Sequence, residues 1–460
     1  MGEVEEKPRR SAGKHAAAQK PPMPWYKVLL FCVISLVVSC VLGIALLAGA
    51  FSLPMESVHA HAEADKARFM DIEQPVALEY PCMWADRYTD ALMVLEPLYQ
   101  ETLDIALLDR VLSVYQPVGS EDSAMKLLHF LDGVKQGDPI SYGRYWHGYE
   151  VIFVPLLQVF TYTQVIVFNA VFLLAMALLI VLLLFKRRLD WLVLPFLLCF
   201  VCMTPWVVAK SMCYMASLSL ALIGTAAVLA WGSAWVKRGV APIAFCIIGI
   251  VVNYLDFMDF PLVSLGMPLV VLVSLEKQRG WRNISLGLYC AVAWSFGYFA
   301  MWIAKWVLAT LFTQSNIIED AITQARFRSQ TSSVGFNGEI AEGYKDVISI
   351  VLIQYKGLFW FVLAGVYLLA LVIQEVVVRA KHLGTMPTQH TKESEKPAVL
   401  LLCYAAIATL PFIWAAAAQN HTFMHFFFTW RIMNIAIFAG AAALSYLLWF
   451  ARQGFGKARQ

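Results

Sequence analysis

The sequence predicts an all-α fold: a polytopic transmembrane helical bundle of about 10 spans, with a large extracytoplasmic first loop carrying short amphipathic helices. Three observations predict it. Of 460 residues, 60% are hydrophobic and 15% charged, against roughly 45–50% and about 25% in soluble domains. Apolar runs of about 20 residues recur along the chain, the length that crosses a hydrocarbon core. One long acidic segment, residues 51–150, interrupts the pattern with 17 Asp/Glu against 7 Lys/Arg.

Taken in order, residues 1–25 form a basic cytoplasmic tail with Lys7, Arg9, Arg10, Lys14 and Lys20. The first span, 26–50, is longer than the roughly 7–15 apolar residues of a signal-peptide core and reads as an uncleaved anchor. The loop 51–150 follows, then the bundle 151–450 and a cytoplasmic tail 451–460. The ten spans run Tyr26–Ala50, Thr161–Phe185, Trp191–Val208, Met212–Val236, Val240–Tyr254, Phe260–Leu275, Ile284–Leu311, Gly357–Val378, Ala398–Ala418 and Phe426–Phe450. The fifth and sixth are short.

Charge orients the chain. Lys186-Arg187-Arg188, Lys237-Arg238, Lys277–Arg282 and Arg379–Lys396 fall in alternate connections, on the same side as the basic N-terminus. Basic residues concentrate in cytoplasmic loops, so both termini are expected in the cytoplasm and the acidic loop outside, in a cell membrane. Seven basic residues remain on the outer side: Lys210, Lys305, Arg326, Arg328, Lys345, Lys356 and Arg431. Snorkelling to headgroups accounts for any one of them; together they suggest an anionic ligand at the outer surface. Ionisable groups at mid-depth are nearly absent, and no inverted repeat is visible, which argues against an ion-coupled transporter. The nine cysteines are scattered, against a disulfide framework. Cys199-Phe200-Val201-Cys202 lies in an apolar run and reads as packing.

Within the acidic loop, amphipathic helices are expected over about Asp86–Leu98 and Glu101–Tyr115. A third starts after the cap Ser120-Glu121-Asp122 and stops at Gly133 or Gly137. The densest chemistry is Trp84-Ala85-Asp86-Arg87-Tyr88-Thr89-Asp90. If Asp86 is helical, Asp86 and Asp90 share a face, four residues apart. Neighbouring carboxylates can divide the roles of base and orienting group, because repulsion raises one pKa; a solvated acidic helix start is the alternative. The rings of Trp84 and Tyr88 beside carboxylates suit sugar binding.

Further candidates lie elsewhere. In Arg144-Tyr145-Trp146-His147-Gly148-Tyr149-Glu150 the aromatics form part of an interfacial belt, or Trp146 and His147 meet substrate, with His147 donating to phosphate or moving a proton. Asp256 and Asp259 sit in an apolar turn, where they need partners or a ligand. His421 and His425, at i and i+4, can address one metal or one phosphate, with Arg431 beyond them. The Asn420-His421-Thr422 sequon lies too near the bilayer to accept a glycan.

This arrangement of a first span, a long outer loop with juxtamembrane helices and an early acidic residue, then many spans with small loops, resembles the GT-C superfamily of membrane glycosyltransferases. The Tyr145–Tyr149 and Asn420–Arg431 stretches are also similar to those of a group of bacterial multi-pass proteins. In many GT-C enzymes the first acidic residue closely follows the first span. Here about 35 residues separate Phe51 from Asp86, so Glu56, Asp65 and Asp71 are alternatives to it. The resemblance implies a polyprenyl-phosphate-linked sugar donor and a glycan or lipid-linked acceptor, meeting at the outer leaflet of the bilayer in cell-envelope assembly. It implies Asp86 or Asp90 as base, with Arg431, His421, His425, Lys210, Arg326 and Arg328 on the donor phosphate and Trp84, Tyr88, Trp146, His147, Asp256 and Asp259 on substrate. No cofactor signature is present. A divalent metal ion is the one candidate, without an assigned ligand set, and nucleic acid is not an expected partner. The competing classes are a transporter or flippase for lipid-linked sugar and a non-catalytic subunit of an envelope-polymer assembly.

Overall fold

A computed structural model describes residues 23–70, 80–277, 280–331, 333–334, 340–358 and 397–457. The tail 1–22, Asp71, the basic stretch 379–396 and the predicted span beyond Leu358 lie outside the described residues. The chain is mostly helical. Among the described residues six helices are long and apolar enough to cross a membrane: Trp25–Phe51, Tyr162–Lys186, Met212–Arg238, Arg282–Phe312, Pro397–Ala417 and the Phe426–Phe450 stretch. Four apolar helices are shorter: Glu150–Val159, Asp190–Cys202, Ala241–Leu255 and Val263–Leu275.

Three predicted spans therefore change form. Trp191–Val208 is broken, because Thr204 takes a left-handed φ of 51° and separates Val193–Cys202 from the single turn Pro205–Val208. The predicted fifth and sixth spans are helices of 15 and 13 residues, at about 1.5 Å per residue well short of a roughly 30 Å hydrocarbon core. They meet at the turn Asp256–Leu262 and lie against longer neighbours. Val263–Leu275 is buried along most of its length and packs on Met212–Arg238. Ala241–Leu255 packs on Arg282–Phe312. A Cβ on Gly249 would stand 2.2 Å from the Trp294 carbonyl oxygen, and one on Gly297 2.2 Å from that of Cys246. These two helices touch backbone to backbone, as small residues allow in apolar surroundings.

The first helix is the least embedded. Val37, Val41 and Leu42 are exposed along it, so its free face suits lipid rather than water.

The 51–150 segment packs onto one end of the bundle. Among its described residues the helices of seven residues or more are Glu56–Ala64, Arg87–Glu101, Leu107–Ser113 and Ser123–Leu131. The predicted second helix starts six residues late, at Leu107. Glu56–Ala64 and the antiparallel pairing of Tyr115–Pro117 with Pro139–Ser141 were not expected from the sequence. Asp122 caps Ser123–Leu131 through the Met125 N–H at 2.9 Å, and Gly133, at φ 72°, closes it, as its lack of a Cβ permits. Thr161 and Gln164 form a capping box that starts Tyr162–Lys186. Arg87–Glu101 is buried from Asp90 to Gln100 despite Pro97. This apolar embrace holds its N-terminus against the start of Met212–Arg238.

Candidate functional site

Asp86 is the N-cap of the Arg87–Glu101 helix, not part of it. Its two carboxylate oxygens accept from the Thr89 N–H at 2.9 Å and the Thr89 hydroxyl at 2.7 Å. Such a cap contributes about 1 kcal/mol. Asp90, one turn on, is fully buried. It accepts from the Tyr162 hydroxyl (2.5 Å), the Cys213 N–H (2.8 Å) and the Ser211 hydroxyl (3.2 Å). Ser211 also accepts from the Asp86 N–H. The two carboxylates thus meet through the residues that open Met212–Arg238 rather than along one helix face.

The same residues reach the Asp256–Leu262 turn. The Cys213 thiol lies 3.1 and 3.2 Å from the two oxygens of Asp259. Asp256 accepts from the Ser217 hydroxyl at 2.6 Å and from the N–H groups of Met258 (2.9 Å) and Asp259 (3.1 Å). Four carboxylates therefore share one buried region. Burial raises the pKa of all four, and that of Asp90 reaches about 7. Asp256, with three donors, is the better-stabilised anion; Asp259, facing a weak thiol donor and Asp256, is the neutral partner.

On the other side of the turn, the Met258 carbonyl accepts from His421 Nε2 at 2.9 Å, and Arg328 Nη1 lies 3.0 Å from His421 Nδ1. His425 stands beside His421, ring centroids 4.9 Å apart. Burial, then Arg328, holds His421 neutral by pushing its pKa well below the usual imidazole range. A cavity of about 210 Å³ adjoins Met258 and Arg328. Tyr145, Phe299, Trp302, Trp306 and Trp414 line it, with Arg144 and Arg328. The Arg144 guanidinium lies 4.5 Å from the Tyr142 ring centroid and pairs with Asp320 at 3.1 Å. The walls suit an apolar chain and the two guanidiniums an anionic head.

Met258, whose N–H and carbonyl hold Asp256 and His421, is a non-glycine residue in left-handed backbone, φ 73°. Such strain concentrates at functional sites.

Several expected site residues lie elsewhere or are committed to the protein. Arg431 is fully buried and donates to the carbonyls of Met203, Cys82 and Phe427 and to the Thr204 hydroxyl. It stacks 4.8 Å from the Tyr214 ring, so it ties elements together and offers no free face to phosphate. Trp146 is a core residue: its Nε1 donates to the Met301 carbonyl at 2.8 Å, and Lys305 sits 5.2 Å from its ring. His147 is buried against Glu96 and Tyr149. Arg326 is exposed and lines a separate shallow depression with Ser329, Gln330 and Thr331. Lys210 and Tyr88 are exposed and Trp84 is half-buried, its ring tilted 6.3 Å from that of Phe427. Asn420 is buried and donates to the Phe327 carbonyl at 2.7 Å, consistent with an unglycosylated sequon. Among the described residues no group of three or more His, Cys, Asp or Glu is arranged to hold a metal ion; His421 and His425 are adjacent, but no third ligand of that kind joins them.

Ser211, Cys213 and Ser217 were not expected at the site, and Arg144, within the Arg144–Glu150 stretch, had no expected role. A four-residue tryptophan spacing, Trp302 to Trp306, was legible as a helical aromatic stripe. The serines and Cys213 carry no periodic signal. Comparison of the chain with protein-family profiles, with curated proteins and with solved structures finds no match.

Proposed function

We propose that the chain is an inverting membrane glycosyltransferase of the GT-C kind, moving a sugar from a polyprenyl phosphate to a cell-envelope acceptor. One observation supports this most: a continuous series of contacts links Asp86 and Asp90, through Ser211, Cys213, Asp259, Asp256 and Met258, to His421 and then to Arg328 in the wall of the aromatic cavity. Carboxylates for a base and cations for a departing phosphate are thus joined in one rigid unit.

In this reading Asp86 or Asp90 takes the acceptor hydroxyl proton. The acceptor oxygen bonds to the anomeric carbon as the bond from that carbon to the phosphate oxygen breaks, and the lipid phosphate leaves with the electron pair. Arg328, oriented by His421, and Arg144 stabilise that phosphate in a largely apolar setting where charge contacts are strong. The isoprenoid lies along the tryptophans; Trp84 and Tyr88 face the acceptor. A pKa near 7 suits a general base at neutral pH. The charge distribution supports about ten spans, both termini in the cytoplasm and the site outside.

Liposomes carrying polyprenyl-phosphate sugar and acceptor test this. Asp86→Asn, Asp90→Asn and Arg328→Ala should each stop transfer while lipid binding survives in the two acid variants. Full turnover in both acid variants defeats the assignment. Movement of labelled lipid across the bilayer without product points instead to a transporter.

A further inference from the structure

A second buried polar network lies between the Arg87–Glu101 helix and residues 142–150, and nothing in the proposed transfer uses it. Glu96, His147 and Glu150 are fully buried. Glu96 Oε2 accepts from the Tyr149 hydroxyl at 2.5 Å and lies 3.0 Å from His147 Nδ1. That Nδ1 is also 2.8 Å from the Tyr149 oxygen, and His147 Nε2 is 3.1 Å from the Tyr142 carbonyl oxygen.

Counting hydrogens fixes the charge. A carbonyl only accepts, so Nε2 carries a hydrogen. The Tyr149 hydrogen can serve Glu96 or Nδ1, not both. One further proton must therefore sit on Nδ1 or on Glu96. With it, Glu96, His147 and Tyr149 sum to zero charge. Glu150 lies outside that balance. Among the described residues neither of its carboxyl oxygens has a hydrogen-bond partner, and Glu96 Oε1 has none. Burying an unpaired carboxylate is prohibitive.

Among the described residues the cations beside residues 142–150 are committed elsewhere: the Lys305 ammonium donates to the Val111 carbonyl at 3.2 Å and Arg144 pairs with Asp320 at 3.1 Å. Glu96 and Tyr149 are the titratable groups that act on Glu150. The helix Trp25–Phe51 has no titratable side chain from Val41 onward. On Glu56–Ala64, His61 is turned to the Leu157 carbonyl at the other end of Glu150–Val159, and Glu56, His59 and Glu63 share that short helix. Tyr162 is held by Asp90, Tyr254 by the Gly43 carbonyl and Asp256 by Ser217.

We propose that Glu150 and the free Oε1 of Glu96 form a buried site for a single positive charge, either a proton or a small alkali cation. The three buried, unpartnered carboxyl oxygens are the donor set. Its occupant neutralises the contact between residues 142–150 and the helix that carries Asp90. The inference is independent of sugar transfer.

The test uses the full chain in lipid nanodiscs. Infrared spectra report a protonated buried carboxyl by its carbonyl stretch; thermal melts compare sodium with the bulky cation N-methylglucamine. A carboxyl band present in the wild type and lost in Glu150→Gln, with melting indifferent to sodium, identifies the proton. A rise in Tm with sodium that is lost in Glu150→Gln, without the band, identifies the cation. Glu96→Gln, which keeps the shape, should weaken whichever signal is found. Because Asp259 and Asp90 give carboxyl bands of their own, a wild type with no sodium effect and no band that either Glu150→Gln or Glu96→Gln removes overturns the proposal.

Discussion

His421 Nε2 lies 2.9 Å from the carbonyl oxygen of Met258, a residue held in left-handed backbone. That contact sets the tautomer: Nε2 carries the hydrogen, and Nδ1 is left as an acceptor for Arg328 at 3.0 Å. His421 is thereby a positioning residue for a cation, not a proton shuttle. His421→Gln should lower transfer roughly tenfold or more, the scale of one hydrogen bond to a charged group, with the loss in KM for the donor. The pH profile should keep its shape. A profile that loses its acidic limb in this variant would show that the ring titrates.

Asp90 gives a pH prediction for stability. Burial raises its pKa from 3.8 to about 7. The folded chain then binds this proton more tightly than the unfolded chain does. Its contribution is fully present below the ordinary value and is lost as pH rises towards 7. Asp90→Asn should flatten that part of the Tm-against-pH curve while cutting transfer about 10²–10⁴-fold if Asp90 is the base. Melting curves across this window in detergent check the slope separately from activity.

Arg431 should behave as a structural residue. Arg431→Met leaves the carbonyls of Met203, Cys82 and Phe427 without their donor, and Arg431→Lys replaces a planar fork by a point charge. Each buried carbonyl left without a donor costs about 1–3 kcal/mol. Both variants should lower Tm and yield sharply. A normally folded Arg431→Lys with only a raised donor KM would place phosphate there after all.

The tryptophans of the cavity should read chain length. Trp302→Ala and Trp414→Ala remove apolar wall from the space beside Arg328. Their KM should rise for long isoprenoid donors and change little for short, water-soluble analogues. An equal effect on both would separate the cavity from the lipid chain.

Gly249→Ala tests the helix contact. The new Cβ would meet the Trp294 carbonyl oxygen at 2.2 Å, and backbone cannot swing aside as a side chain can. Overpacking of this kind typically costs about 1–3 kcal/mol, read as a lower Tm, whereas Gly49→Ala, which meets nothing within 4 Å, should be silent.

The sequence by itself determined the helical class, most long apolar helices to within a few residues, and the chemistry-rich stretches around Asp86, Asp256 and His421. Apolar runs and caps are local, and local patterns report burial and helix ends directly. Only the tertiary structure decided which groups meet. Asp86 and Asp90 were expected to pair along a helix, yet they meet through Ser211 and Cys213, more than a hundred residues away. Arg431 and Trp146 had the composition of ligand contacts, but packing turned them inward, where a guanidinium or an indole N–H must find carbonyls. Thr204 and Met258 could not be read as breaks, because nothing in a threonine or methionine announces positive φ; neighbouring elements impose it. That Glu150 meets no hydrogen-bond partner among the described residues was equally invisible, since it is a property of everything packed around that carboxyl.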